Sequence, residues 1–142
     1  MSLLPLSLLT ALVVQLSCQL FKLVVYSIRD GEFSPKYFTT AGGIPSAHTA
    51  FVVALAVSVG LRAGFASEVF AVAAVFAAIV MYDAYRLRGH VQRHAQILNR
   101  HVLRPTGAEP VSEMVGHSLL EIATGALFGA AVSLGIGLAL GA

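Results

Sequence analysis

Tryptophan is absent, cysteine occurs once, and charged residues make up only 11% of the 142 positions. Each shortage excludes something. With no second cysteine there is no internal disulfide framework, and Cys18, set inside an apolar segment, reads as a small buried side chain. With no tryptophan and four tyrosines, an aromatic girdle at a bilayer interface would be thin, so spans must be located by hydropathy and charge. A formal charge of +2 is too small to suggest a nucleic-acid partner. What is abundant is apolar: 57% of the chain is hydrophobic and the mean hydropathy is +0.82, well above what a soluble domain needs to fill its core. The chain is expected to form a single integral membrane domain over residues 1–142, with membrane lipids as its surroundings.

Four apolar stretches stand out, near Leu3–Val25, Thr49–Leu61, Val69–Tyr82 and Leu119–Ala142. They predict an all-α fold, a polytopic membrane helical bundle of about four transmembrane helices. A bilayer core requires ~20 helical residues, a length the first and last stretches reach. The middle two approach it only by extension, from Ser46 and on to Leu87. The sequence LRAGFASE between them supplies the Gly and Ser of a tight turn, so they pair as a helical hairpin, either crossing fully or re-entering. The N-terminal stretch has no basic flank and no small-residue cleavage site, and Gln15, Gln19 and Lys22 interrupt its apolar face. It is expected to be retained rather than removed as a signal peptide.

Negative charge is missing where positive charge is densest. From Arg86 to Arg104 the chain carries Arg86, Arg88, Arg93, Arg100 and Arg104 with His90, His94 and His101, and no acidic residue. Positive loops stay in the cytoplasm, so this third connection is expected there, with the first connection beside it and both termini outside. No proline or strong turn signal precedes Pro105. Helix three is therefore expected to run past the membrane as a cytoplasmic extension, with Asp83, Arg86, His90 and His94 at three- and four-residue steps on one face.

Three constellations could carry chemistry. In GGIPSAHTA, Gly42 and Gly43 allow close backbone approach, Pro45 suits the first turn of a helix, and Ser46 offers a hydroxyl near free N–H groups. Such a helix start can bind an anion, and His48 in its first turn could deliver or accept a proton. The plainer alternative is that Ser46 caps a helix and His48 sits at the interface. In GHSLLE, His117 and Glu121 are four residues apart at the start of the last helix, so the carboxylate could fix the imidazole tautomer and leave the other nitrogen as nucleophile or base. The alternative is an ordinary ion pair anchoring a helix end. In KLVVYSIR, Lys22 and Arg29 bracket the cytoplasmic end of helix one, as ligands or as side chains reaching the headgroups. Asp83, at the end of an apolar run, is placed to pair with a nearby arginine and hold its guanidinium.

By the charge argument all three constellations lie on one side of the membrane. Basic groups, helix N-terminal amides, a nucleophile and an acid are the parts that phosphoryl transfer requires.

The motifs resemble the type 2 phosphatidic acid phosphatase superfamily, which also includes vanadium haloperoxidases. Pro45-Ser46-Ala47-His48 is similar to its Pro-Ser-Gly-His core. Lys22, six residues and Arg29 match the spacing of its first motif, and His117, three residues and Glu121 are similar to its third, where Asp stands last. GGIPSAHTA, VFAAIVMYDAYRLR and GHSLLE resemble a short divergent branch of that superfamily, in order and over most of the chain.

The resemblance implies an acid phosphatase-like membrane hydrolase. His117 would attack phosphorus, Glu121 would orient it, and His48 would protonate the leaving alcohol. Lys22, Arg29, Ser46 and the Gly43 amide would hold phosphoryl oxygens, with no metal and no cofactor. Four positions depart from the pattern: Asp30 follows Arg29 where proline is usual, Val111 stands where the third motif has arginine, Gly89 follows Arg88 where two arginines are usual, and His94 stands where glutamine is expected. Arg88 or Arg86 is the candidate replacement for the missing arginine, with Asp83 supporting.

The expected substrate is a lipid phosphomonoester or pyrophosphate reached from the cytoplasmic leaflet of the cell membrane. The alternative is a non-catalytic membrane protein that binds anionic headgroups or a partner through the same basic cavity. A haloperoxidase would need retained vanadate and a peroxide route, for which no residue speaks. Gly125, Gly129, Gly135, Gly137 and Gly141 permit close helix approach, within one chain or in a homo-oligomer.

Overall fold

A computed structural model describes residues 4–35, 38, 43–113 and 116–141 of the chain. Gly42 lies outside the described residues. Helices are the regular elements among the described residues: α1 (Leu6–Asp30), α2 (Ala47–Ala63), α3 (Glu68–Tyr85), α4 (Leu87–Leu98), a π-helical turn (Asn99–Leu103), a single turn α5 (Arg104–Thr106) and α6 (Leu119–Leu140). The all-α membrane bundle expected from hydropathy is the architecture observed. Three helices are long and apolar enough to cross a bilayer: α1, the 39-residue run from Glu68 to Thr106, and α6. The fourth, α2, has 17 residues, or roughly 25 Å of helix, somewhat short of a hydrocarbon core of about 30 Å.

Capping explains the boundaries. Ser46 caps α2 through its hydroxyl to the Thr49 N–H, and Ser67 does the same for α3 toward Phe70. α1 stops at Gly31 and α6 at Gly141, both in the left-handed conformation that ends helices readily when no Cβ is present. Pro45 precedes the cap of α2 rather than sitting in its first turn, where the sequence reading placed it, because Ser46 takes the cap position. The Ile44–Pro45 peptide is cis. α3 passes into α4 at Arg86 with its hydrogen bonds kept, Arg86 N–H to the Tyr82 carbonyl and His90 N–H to the Arg86 carbonyl, so the run continues as the missing turn signals imply.

α2 is the central helix, packed by α1, α3 and α6. Ala47, Ala50 and Ala54 join Val14 and Cys18 of α1, with Phe128 and Val132 of α6 against them; Val52 and Ala56 face Ala77 of α3. The large apolar side chains point the other way. Leu16, Leu20 and Val24 of α1, Val69, Val72 and Ile79 of α3, and Leu127 and Leu138 of α6 are exposed. An interior of alanine, glycine and serine beneath an exterior of leucine, valine and isoleucine suits a lipid solvent. There, helices gain by close backbone contact rather than by hiding large apolar groups.

The α2–α6 seam shows this most directly. Gly125, Gly129, Ser133 and Gly137 recur every four residues and are the buried positions of α6. A Cβ on Gly125 would meet the Ser46 carbonyl oxygen, and one on Gly129 the Ala50 carbonyl oxygen. Ser133 donates its hydroxyl to the Ala54 carbonyl at 3.1 Å. Gly135 has open space at the Cβ position. Gly129→Val should therefore destabilise the fold by about 1–3 kcal/mol through overpacking, and Gly135→Ala by far less. Thermal or denaturant unfolding of both variants in one detergent checks this, and equal midpoints would contradict the seam.

Candidate active site

The seam delivers two helix starts to one place. The Ser46 N–H donates to the Glu121 carbonyl at 3.0 Å, so the N-terminus of α2 is bonded into the first turn of α6. Ser46 is fully buried and its hydroxyl also accepts from the Thr49 hydroxyl at 3.0 Å. It therefore serves as a cap, the plainer of its two sequence readings.

His117 does not lie on α6. Ser118 is the cap residue, its hydroxyl accepting the Glu121 N–H at 3.2 Å while Glu121 Oε2 accepts the Ser118 N–H at 2.8 Å. This is a reciprocal capping box, written in the sequence as Ser-x-x-Glu and not read there. The expected single helical face is replaced by a bend across the cap, which still sets His117 Nδ1 3.4 Å from Glu121 Oε2. That is ion-pair distance rather than an aligned hydrogen bond. The other carboxylate oxygen, Oε1, accepts the Gly43 N–H at 3.2 Å. Gly43 has φ near +95°, and a Cβ there would strike the Tyr26 hydroxyl, so only glycine suits the position. Tyr26 Oη accepts the Ile44 N–H at 3.0 Å. Tyr26 went unnoticed in the sequence, although its position four residues after Lys22 puts it on the same helix face.

His48, in the first turn of α2, and His117 have ring centroids 6.3 Å apart, tilted by 44°. His48 Nδ1 and both ring nitrogens of His117 are buried without a hydrogen-bond partner among the described residues. Lys22 is wholly buried, a costly position for a cation in an apolar helix, and its charge acts on Glu121 and on both imidazoles. Arg88 also acts on both imidazoles, while its Nε donates to Asp83 Oδ2 at 3.1 Å, the pairing anticipated for Asp83. Arg29 is placed differently. Its side chain is 66% exposed, bonded to Asp30 at 2.8 Å and laid over the Tyr26 ring.

A cleft of about 510 Å³ opens beside this cluster, lined by Gly43, His117, Ser118 and Glu121 and also by Arg86 and by His90 and Arg93 of α4. Of the two arginines considered for the missing ligand, Arg86 faces the cleft and Arg88 is held by Asp83. His94, expected on the same stripe as His90, is not among the lining residues. The loop before His117 is pinned to the helices: Gly116 N–H to Gln92 Oε1 at 3.0 Å, and His117 N–H to the Ala84 carbonyl at 3.2 Å. Asn99 grips Val111 through two hydrogen bonds, N–H to Oδ1 at 2.9 Å and Nδ2 to the carbonyl at 2.8 Å. The position lacking the family arginine is thus held by its backbone. Gln92 and Asn99 escaped sequence reading because their partners are distant and nonperiodic.

An apolar helical exterior around buried ionisable side chains defines a polytopic membrane protein with a polar interior cluster. The chain belongs to the Divergent PAP2 family, whose model matches residues 5–132. It is similar to the "Uncharacterized membrane protein YuiD" of Bacillus subtilis (strain 168), 32% identical over 143 residues, with 89% of this chain and 90% of that protein covered. No solved structure gives a significant match.

Burial pushes the His117 imidazole below its ordinary value of 6.5. The Glu121 carboxylate opposes this shift, and the charges of Lys22, His48 and Arg88 reinforce it. Below pH 6.5 the unfolded chain binds a proton at this position that the folded chain resists. This site therefore costs stability as pH falls through 6.5 toward the folded value. Removing the opposing carboxylate in Glu121→Gln should lower the His117 pKa further, as read by histidine carbon NMR titration. An upward shift would refute the arrangement.

Proposed function

We propose that this protein hydrolyses a phosphomonoester or pyrophosphate on a membrane lipid through a phosphohistidine, working at the cytoplasmic leaflet of the cell membrane. The observation that carries this reading is the approach of buried His117 and half-buried His48, ring centroids 6.3 Å apart, whose buried nitrogens without hydrogen bonds among the described residues share one locus with Glu121 and buried Lys22. Buried polar atoms are nearly always paired, so several unpaired ones together support a site awaiting a ligand.

In the first step His117 in its neutral form attacks phosphorus through Nε2, and the P–O bond to the leaving group breaks. Protonated His48 gives its proton to the leaving oxygen and becomes neutral. In the second step a water attacks the phosphohistidine, its proton passes to His48, and the P–N bond breaks to release phosphate. Glu121, beside Nδ1, stabilises the positive charge that develops on the ring. Lys22, Arg88 and Arg86 supply positive charge for the phosphoryl oxygens, as does the Gly43 amide once Glu121 releases it. The mechanism calls on no metal or cofactor. The cytoplasmic orientation rests on the acid-free basic run from Arg86 to Arg104.

A second reading is favoured by one contact. Glu121 already occupies the Gly43 and Ser118 amides, so the pocket could hold an anionic headgroup beside it without turnover.

Purified protein should release phosphate from short-chain lipid phosphates and be inhibited by vanadate. His48→Ala should lower kcat by about 10²–10⁴-fold, the range of a lost general acid. His117→Ala should abolish phosphohistidine formation, detected by acid-labile phosphate on the denatured protein. Headgroup binding that persists in wild type with no phosphate release would select the second reading.

A further inference from the structure

We propose that Gln92 of α4 is a positioning residue for His117: by holding the main chain just before the histidine, it fixes where the imidazole stands relative to His48 and Glu121. The inference rests on the reading of His117 as the nucleophile and adds a residue that no motif contains.

The two histidines are held in different ways. His48 lies in the first turn of α2, a helix locked to α6 through the glycine seam and through the Ser46 N–H to the Glu121 carbonyl. His117 precedes Ser118, the cap of α6, so the helix gives its main chain no intrahelical hydrogen bond. Its ring is not tied either. Nδ1 stands 3.4 Å from Glu121 Oε2, at ion-pair distance, and neither ring nitrogen has a hydrogen-bond partner among the described residues. The imidazole therefore takes its place from the main chain that carries it.

Three successive amides hold that main chain. The Gly116 N–H donates to Gln92 Oε1 at 3.0 Å, the His117 N–H to the Ala84 carbonyl at 3.2 Å, and the Ser118 N–H to Glu121 Oε2 at 2.8 Å. Ala84 contributes only backbone, and Glu121 already has a part in the proposed chemistry. Gln92 is the remaining side chain. The fit around its bond is close: a Cβ on Gly116 would lie 3.0 Å from Gln92 Oε1 and from the Gly89 Cα, and 3.1 Å from the Arg88 carbonyl oxygen. Asn99, seven residues on and hence on the same face of the run, grips Val111 farther along the same return segment. Misplacing a reacting group by about 1 Å can cost ~100-fold in rate, so a hydrogen bond one residue from the nucleophile bears on the chemical step more than on affinity.

The test combines histidine carbon NMR titration of the detergent-solubilised full chain with kinetics on a short-chain lipid phosphate. Gln92→Met keeps the length of the side chain and removes the acceptor. Burial is the largest influence holding the His117 pKa below 6.5, so a loosened main chain should move its titration up toward 6.5. The same variant should lower kcat about 10–100-fold and leave KM within about twofold. Gln92→Glu, which retains an acceptor oxygen, should restore most of kcat. Gly116→Ala strains the same contact from the other side and should shift the titration in the same direction. A merely structural role would lower the unfolding midpoint and leave the titration of both Gln92→Met and Gly116→Ala at the wild-type value, which overturns the proposal. So does a rise in KM at unchanged kcat, which would make Gln92 a substrate contact. Absence of phosphate release by wild type counts against the nucleophile reading alone, because the titration of His117 still decides whether Gln92 positions the ring.

Discussion

The carbonyl oxygen of Ser46 fills the space where a side chain on Gly125 would begin, and one turn further on the Ala50 carbonyl does the same to Gly129. This backbone-to-backbone contact between α2 and α6 is the constraint on which the site depends. It aligns the two helices so that the Ser46 N–H reaches the Glu121 carbonyl, which joins the start of α2 to the start of α6. His48 lies two residues beyond one of those starts and His117 one residue before the other cap. Their proximity is a consequence of the seam. In lipid such a seam is also where helix association finds its energy, because large apolar side chains gain nothing by leaving one hydrocarbon environment for another.

The cost of the arrangement falls on charge. Lys22 has no exposed surface, and Glu121 is placed among apolar residues of α6. Each is tolerable because the other is near and because the Glu121 carboxylate is met by two backbone amides. The same carboxylate caps α6, steadies Gly43 and stands beside His117. One side chain thereby couples the helix end, the first connection and the imidazole. Any ligand that competes for the Gly43 amide must act through this residue.

Much of this was legible in advance. Hydropathy located the helices, because a segment that crosses a bilayer must be apolar along its whole length, and the missing acids and turn signals after Arg86 anticipated the long run of α3 and α4. Pro45-Ser46-Ala47-His48 and the His117–Glu121 pair were identifiable because motif chemistry is local. Other features were not. The cap of α6 shifted His117 off the helix, and the Ser118–Glu121 box that does so was overlooked in favour of the four-residue spacing. Gln92 and Asn99 bond to residues 24 and 12 positions away, Gly116 and Val111, without a periodic pattern to announce them.

The amino-acid sequence by itself determined that this is an all-helical membrane chain with polar residues concentrated in a few short motifs, since composition and periodicity act through the nearest turn or the surrounding solvent. Only the tertiary structure decided which cations meet which histidines. Lys22 is drawn inside while Arg29 turns out to Asp30, and Arg86 faces the cleft while Arg88 is tied to Asp83. Those choices depend on the rotation of each helix about its axis. That rotation is set by where glycine allows two backbones to touch.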